Sequence, residues 1–379
     1  MVTVAGDLVG LHGTDPATVY LSLAARVRTC DIGGVDAAMY DDRSLVRLLG
    51  MRRTVFTAPR HLARVIQTSA AMALLPNERR TFGKMLVEGQ ATNEPESWID
   101  RVSANAAVVL ARHGELAATE FAPHLPEFGL QLRLNVGKKY EGSIGVSSKI
   151  LFLMGIEGRV VRTRPKGSWI SSQYRWDLTE SWLGETLDGQ PFEGLAPADA
   201  ERQLVERYLH SYGPATTADV RWWTGWSLGK IRSAMADLAV TEVEIEDGGT
   251  ATMLTADVEP TLAAPLTDPW VRLLPSLDPT AMGWKERDWY LGPYREPLFD
   301  YSGNIGPTVW CDGRIVGGWS QTPTGEVVTH VLEDVGAEAS NAVAAEAVRI
   351  QRWIGLARVS PRFPTPLQKA LANGNGWRP

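Results

Sequence analysis

The stretch GLHGTDP, residues 10–16, places an imidazole, a hydroxyl and a carboxylate within four positions: His12, Thr14 and Asp15. The three groups offer different tools. One exchanges protons near neutral pH, one both donates and accepts hydrogen bonds, and one carries negative charge. The chain has six histidines in 379 residues, so one in such a loop calls for a reason. The following TDPATV reads as a helix start, with Asp15 as N-cap and Pro16 at the first helical position. The positive end of that helix favours a neutral His12 over an imidazolium. From these residues alone a plainer reading also stands, in which Asp15 only caps the helix and His12 is a packed loop residue.

Other chemistry-bearing patterns are weaker. GWSLG, Gly225 to Gly229, has the spacing of a nucleophile elbow, which needs a strand before the serine. The preceding TTADVRWWTGW reads as a helix, and Ser227 is placed to cap LGKIRSAMADL, so a cap is expected rather than a nucleophile. No phosphate-binding glycine loop, HExxH or cysteine cluster occurs, and neither a metal nor a cofactor is expected. Cys30 and Cys311 lie far apart without CxxC partners and read as small core residues. Arg52 and Arg53, read at the beginning of the first hairpin, are candidates for phosphate contacts.

The elements that would carry these residues repeat. Helix, short turn, second helix and β-hairpin occur three times. In the first unit DPATVYLSLAARV and GGVDAAMYDDRSLVRLLG read as helices, with RRTVFTAP as a strand. In the second, SWIDRVSANAAVVLARHG, ELAATEFAPHL and GSIGVSSKILFLMGIEG precede RVVRTRPKGSWISSQYRWDL, two β-prone arms around Pro165, Lys166 and Gly167. The third has DAERQLVERYLHSYG, TTADVRWWTGW, SLGKIRSAMADLAV and the hairpin TEVEIEDGGTATML. Helix-turn-helix plus hairpin is the winged-helix plan, a DNA-binding architecture. After residue 268 short β-prone pieces separated by glycine and proline predict a small β-domain, closed by the helix SNAVAAEAVRIQRWIGL. The expected domains are 1–85, 86–195, 196–267 and 268–379.

The length allows two to four compact units. No apolar run of membrane-spanning length and no leader-like start is seen, so a cytoplasmic protein without a membrane partner is expected. The net charge of −6 hides an asymmetry. Between 133 and 175, nine Lys/Arg, among them Lys149, Arg162, Arg164 and Lys166, face two acids; the local balance is +7 and the remainder carries −13. One polyanion-facing surface would produce this pattern.

LVGLHGTDP, DRSLVRLLGMRRTVFTAP, GRVVRTRPKGSW…YRW and LLPSLDPTAMGWKERDW…GPTVWCDGRIVGGW resemble, in order and spacing, the AlkZ/YcaQ-like winged-helix DNA glycosylases of bacteria. The resemblance covers nearly the whole chain. It implies an α+β fold: three tandem winged-helix domains and a C-terminal β-barrel-like domain in a C-shaped body with a basic DNA channel. It implies a monomer acting at the nucleoid on double-stranded DNA, excising bulky or cross-linked alkylpurines, in some members as self-resistance to a DNA-alkylating natural product. The family loop usually reads Gly-Leu-Gln-X-Gln-Asp-Pro, its two glutamines holding the catalytic water. His12 and Thr14 stand in their places. In that setting the imidazole would take a proton from the water, the hydroxyl would orient it and Asp15 would add negative charge, while the wing residues Arg162, Arg164 and Lys166 and the loop residue Lys285 would meet DNA. A non-catalytic DNA- or adduct-binding protein, in which loss of both glutamines marks lost activity, stays open as the second reading.

Overall fold

The computed structural model describes the chain except residues 185, 188–189, 192–193, 246–248, 266, 362–363, 375–376 and 378–379, and gives only the backbone of 186–187 and 190–191. Its contacts group into two compact units, Met1–Ala38 with Arg202–Pro379, and Met39–Glu201.

In the first unit the Pro16–Ala24 helix is the internal element. All nine of its residues are buried, as expected of a helix apolar on nearly every face. Asp15 caps it, the carboxylate accepting the Ala17 amide at 3.1 Å, and Pro16 takes the first position, where its missing N–H costs nothing. The helices Pro197–Tyr212, Thr217–Thr224 and Leu228–Met235 are followed by the antiparallel hairpin Val240–Glu244/Thr250–Leu254, in the order expected from the sequence. The turn of that hairpin, at 246–248, lies outside the described residues. Ser227 accepts the Lys230 amide and caps the third helix; GWSLG is a helix start.

The C-terminal β-region is an antiparallel meander of four strands, Val271–Leu274, Thr308–Cys311, Arg314–Gln321 and Val327–Val331, paired in chain order. Among the described residues the first and last strands are not paired, so the β-barrel-like expectation is met by an open sheet. Gly317 is required there: a Cβ would sit 2.1 Å from the His330 carbonyl oxygen of the neighbouring strand. The Gly336–Ile354 helix packs on this sheet, and its Trp353 indole donates to the Cys30 carbonyl at 2.8 Å.

The second unit is centred on the helices Leu75–Glu88, Pro95–His113 and Val146–Ile156, which pack Phe82, Ile99, Val102, Ile150 and Leu151 into one core. Three sequence expectations are corrected here. Leu45–Leu49 is a strand paired with Val55–Pro59, not the end of a helix. All five of its residues are buried, which suits a short two-sided strand, and a brief apolar run does not by itself distinguish strand from helix. Residues 115–125 form a two-residue strand and a short 3-10 turn instead of a helix, with Pro123 and Pro126 opposing helical continuation. The basic hairpin pairs Val160–Pro165 with Tyr174–Leu178, so its tip is eight residues, 166–173, rather than a tight turn at Pro165 to Gly167. Trp169, within that wider loop, is buried.

Candidate active site and nucleic-acid interface

The loop before the Pro16–Ala24 helix sorts its three polar residues by exposure. His12, on the short Leu11–His12 strand, is 5% exposed, Asp15 is half-buried and Thr14 faces solvent. Val9 and Gly10 both have positive φ, which turns the chain sharply before His12. The Leu8 carbonyl in the same loop accepts the Tyr212 hydroxyl at 2.8 Å. Burial pushes the Asp15 carboxyl above its ordinary range, and the Ala17 amide opposes this without reversing it. A carboxylate biased toward its neutral form is a better proton acceptor than one at the surface.

A polar stripe that the sequence analysis missed anchors this helix. Thr18, Ser22 and Arg26 are spaced by four, which brings them to one face of the helix and its C-terminal extension. Each meets the segment 276–280, the LDPT motif and its flank. The Thr18 hydroxyl donates to the Ser276 carbonyl at 2.8 Å, and the Ser22 hydroxyl donates to Asp278 Oδ2 at 2.8 Å. The Arg26 guanidinium meets both Asp278 oxygens at 2.7 and 2.9 Å and donates to the Thr280 hydroxyl. Burial would lower the Arg26 pKa, but the Asp278 carboxylate outweighs it and holds the guanidinium above its usual value. The signal was present: three hydrogen-bonding side chains at i, i+4 and i+8 in an otherwise apolar helix.

Lys285 lies on a loop fixed from below. Asp219 accepts the Lys285 and Glu286 amides at 2.7 and 2.9 Å, and the Trp284 indole donates to the Tyr212 carbonyl. The ammonium itself is at an exposed position. Trp284 stands edge-on to Tyr212 and Trp289, an aromatic packing role.

In the second unit, arginines lie over aromatic rings. Arg43 covers Trp182, Arg47 covers Tyr174, Arg162 covers Trp176 and Arg164 covers Tyr40, at 4.0 to 4.9 Å from the ring centroids. Tyr174 and Trp176 share one face of their strand because side chains alternate. A guanidinium lying over an aromatic face gains a cation–π contact there, and Arg43 also donates to the Trp182 carbonyl at 2.6 Å. Burial, and then the nearby Arg47, bring the Arg162 pKa down to about 10, so it stays charged at neutral pH. Arg47, 3% exposed, was not singled out from the sequence.

The other basic residues differ in their surroundings. Arg164 pairs with Asp41 at 2.8 Å and Lys166 pairs with Glu120, so the hairpin's exposed cations carry acidic partners from elsewhere in the same unit. Arg52 and Arg53 occupy the turn between Leu45–Leu49 and Val55–Pro59, at the tip of the first hairpin instead of its beginning. Both have positive φ, and Arg53 pairs with Glu78 at 2.8 Å. Lys149 is half-buried on the Val146–Ile156 helix.

A model of the DNA glycosylase AlkZ-like family matches residues 5–353, and the chain belongs to that family. Among individual proteins, it is 33% identical over 175 residues to an interstrand DNA cross-link repair glycosylase of Streptomyces sahachiroi. That alignment spans 44% of this chain and 46% of the relative, less than half of each. The solved structure of the Streptomyces sahachiroi DNA glycosylase AlkZ superposes with a TM-score of 0.70 at 24% identity, covering 95% of this chain and 92% of that one. The mixed α/β fold is therefore shared along almost the full length. No helix among the described residues is long and apolar enough to cross a membrane.

Proposed function

We propose that this chain is a monofunctional DNA glycosylase that hydrolyses the N-glycosidic bond of bulky alkylated purines in double-stranded DNA. The observation that carries the reading is the loop at 10–16: a buried His12 and a half-buried Asp15 with a raised pKa, at the start of a wholly buried helix. Family membership supplies the reaction class. The chemistry asks little of the protein. A guanine alkylated on its imidazole ring is cationic and departs with the bonding electrons, leaving oxocarbenium character on the sugar. The enzyme has to stabilise that charge and aim a water at the anomeric carbon. Asp15 supplies negative charge, His12 takes the water proton as the new C–O bond forms, and the exposed Thr14 orients the water. No metal or cofactor takes part in this scheme.

DNA is held in this reading by Arg52, Arg53, Lys149, Arg162, Arg164, Lys166 and Lys285, on three tandem winged helices and the C-terminal β-region of a monomer. The ion pairs of Arg164 and Lys166 do not oppose this, because exposed pairs contribute only about 0–1 kcal/mol and can be exchanged for phosphate. Cross-link repair is what the Streptomyces sahachiroi relative is described as doing. We extend from it only the class of lesion, a bulky alkyl adduct, with self-resistance to an alkylating natural product as the setting. Mass spectrometry of the products from an oligonucleotide with one N7-alkylguanine tests the reading. Free alkylated base is the expected product; tight binding with no release would make the chain an adduct-binding protein instead.

A further inference from the structure

Beside Asp15 lies a small cavity whose walls include Thr18, Ser276, Trp319, Gln321 and Gln368, all in the first unit. Its volume of about 20 Å³ admits one water. Most of its polar lining is already committed. Thr18 donates to the Ser276 carbonyl and the Trp319 indole to the Leu274 carbonyl. Gln321 uses both ends of its amide, donating to the Gly325 and Ala357 carbonyls and accepting the Val359 amide. Gln368, on the Pro366–Ala372 helix, differs. It is 5% exposed, and its side-chain oxygen meets no hydrogen-bond partner. A buried amide oxygen left so costs about 1–3 kcal/mol unless something bonds it. Asp15 has committed one carboxylate oxygen to the Ala17 amide.

We infer that Asp15 and Gln368 form a binding site for one water molecule at the start of the Pro16–Ala24 helix, distinct from the attacking water, and that through it Gln368 positions the Asp15 carboxylate for hydrolysis. A water there donates one proton to the Asp15 carboxylate and the other to the Gln368 oxygen. Because water both donates and accepts, either orientation of the Gln368 amide serves. Gln368 stands on a helix beyond residues 5–353, the span the family model matches. The positioning role rests on the glycosylase reading; the water site does not.

The two parts are tested separately. A crystal structure at a resolution that shows ordered water should place one between the Asp15 carboxylate and the Gln368 amide, and Gln368→Leu should lose it. A dry site, or a water unaffected by Gln368→Leu, overturns the proposal. Nuclear magnetic resonance titration of the Asp15 carboxyl should then give a pKa higher by about half a unit or more in Gln368→Leu, because the carboxylate loses a donor. An unchanged titration overturns the link between the residues. In single-turnover excision, Gln368→Leu should slow the reaction by about tenfold or more with DNA affinity within about twofold. Gln368→Glu keeps the side-chain size and, with the folding of both variants checked by thermal unfolding, should move the acid limb of the pH profile upward by adding a charge beside Asp15. Unchanged rate and profile in both variants overturn the positioning role. A wild-type protein that binds the water but releases no base defeats the glycosylase reading and the positioning role with it, and leaves the water site standing.

Discussion

Arg26 grips both oxygens of Asp278 across 252 residues of sequence, at 2.7 and 2.9 Å, and Ser22 adds a third bond to the same carboxylate. Asp278 is fully buried, and Arg26 retains 20% side-chain exposure. The pair ties the loop 276–280 to the helix that begins at Asp15, so the placement of the candidate catalytic loop depends on an acid far along the chain.

Removing one member of such a pair leaves the other charge buried and uncompensated, which typically costs about 3–5 kcal/mol. Asp278→Ala should lower the stability of the folded chain by that amount in urea or thermal unfolding. Ser22→Ala, which removes one neutral donor, should cost nearer 1–2 kcal/mol. Equal and small effects for both would mean that the carboxylate does not anchor the helix.

Asp15 gives a prediction with a definite sign. Its folded pKa lies above the unfolded value, so the folded state resists losing the proton. The resulting penalty is absent below the unfolded pKa of about 4, develops as pH rises through the folded pKa, and is complete above it. Asp15→Asn keeps a capping side chain and carries no charge to bury. Its Tm should match wild type near pH 4 and exceed it at pH 7, while excision falls. A mutant less stable at pH 7 than at pH 4, relative to wild type, would contradict the raised pKa.

His12→Ala should slow base excision by about tenfold or more with DNA affinity nearly unchanged. Thr14→Ala should cost less, because an exposed hydroxyl that orients water can be replaced in part by a second water. A larger effect at Thr14 than at His12, in single-turnover rates, would reverse the assigned roles.

The arginines of the second unit should separate in a salt titration. Every phosphate that a side chain no longer neutralises takes about one unit off the slope of log affinity against log salt. Arg162→Ala should reduce the slope by about one and weaken binding to damaged and undamaged duplex alike. Arg164→Ala with Lys166→Ala should reduce it by about two, and the unpaired Asp41 and Glu120 carboxylates left behind should weaken binding further. Wild-type slopes in both would remove the hairpin from the DNA interface.

Much of this architecture was legible where periodicity was long or chemistry local. The Asp15 cap with Pro16, the Ser227 cap and the helix at Pro95–His113 follow from signals within a few residues, and each is present. Short apolar runs were less informative. The run at 45–49 fits a helix face and a buried strand equally well, and its pairing with residues 55–59 decides between them. Pro165 and Gly167 suit a tight turn, whereas the strand register leaves a loop of eight residues in which Trp169 is buried. The Asp278 clamp, the stacking of Arg47 on Tyr174 and the approach of Gln368 to the cavity beside Asp15 are tertiary facts. Of these, the first alone left a trace in the sequence, as the spacing of Thr18, Ser22 and Arg26.

We propose that the loop at His12 to Asp15 hydrolyses an N-glycosidic bond with an imidazole and a hydroxyl where the family resemblance implies two glutamines. The most direct test incubates the protein, in excess EDTA, with a duplex carrying one N7-alkylguanine adduct, then applies mild base and quantifies strand breaks at that position. Metal-independent breaks that appear with wild type and fall about tenfold or more with His12→Ala are the predicted result. Intact strands with wild-type protein, under conditions where it binds the adducted duplex, would contradict it.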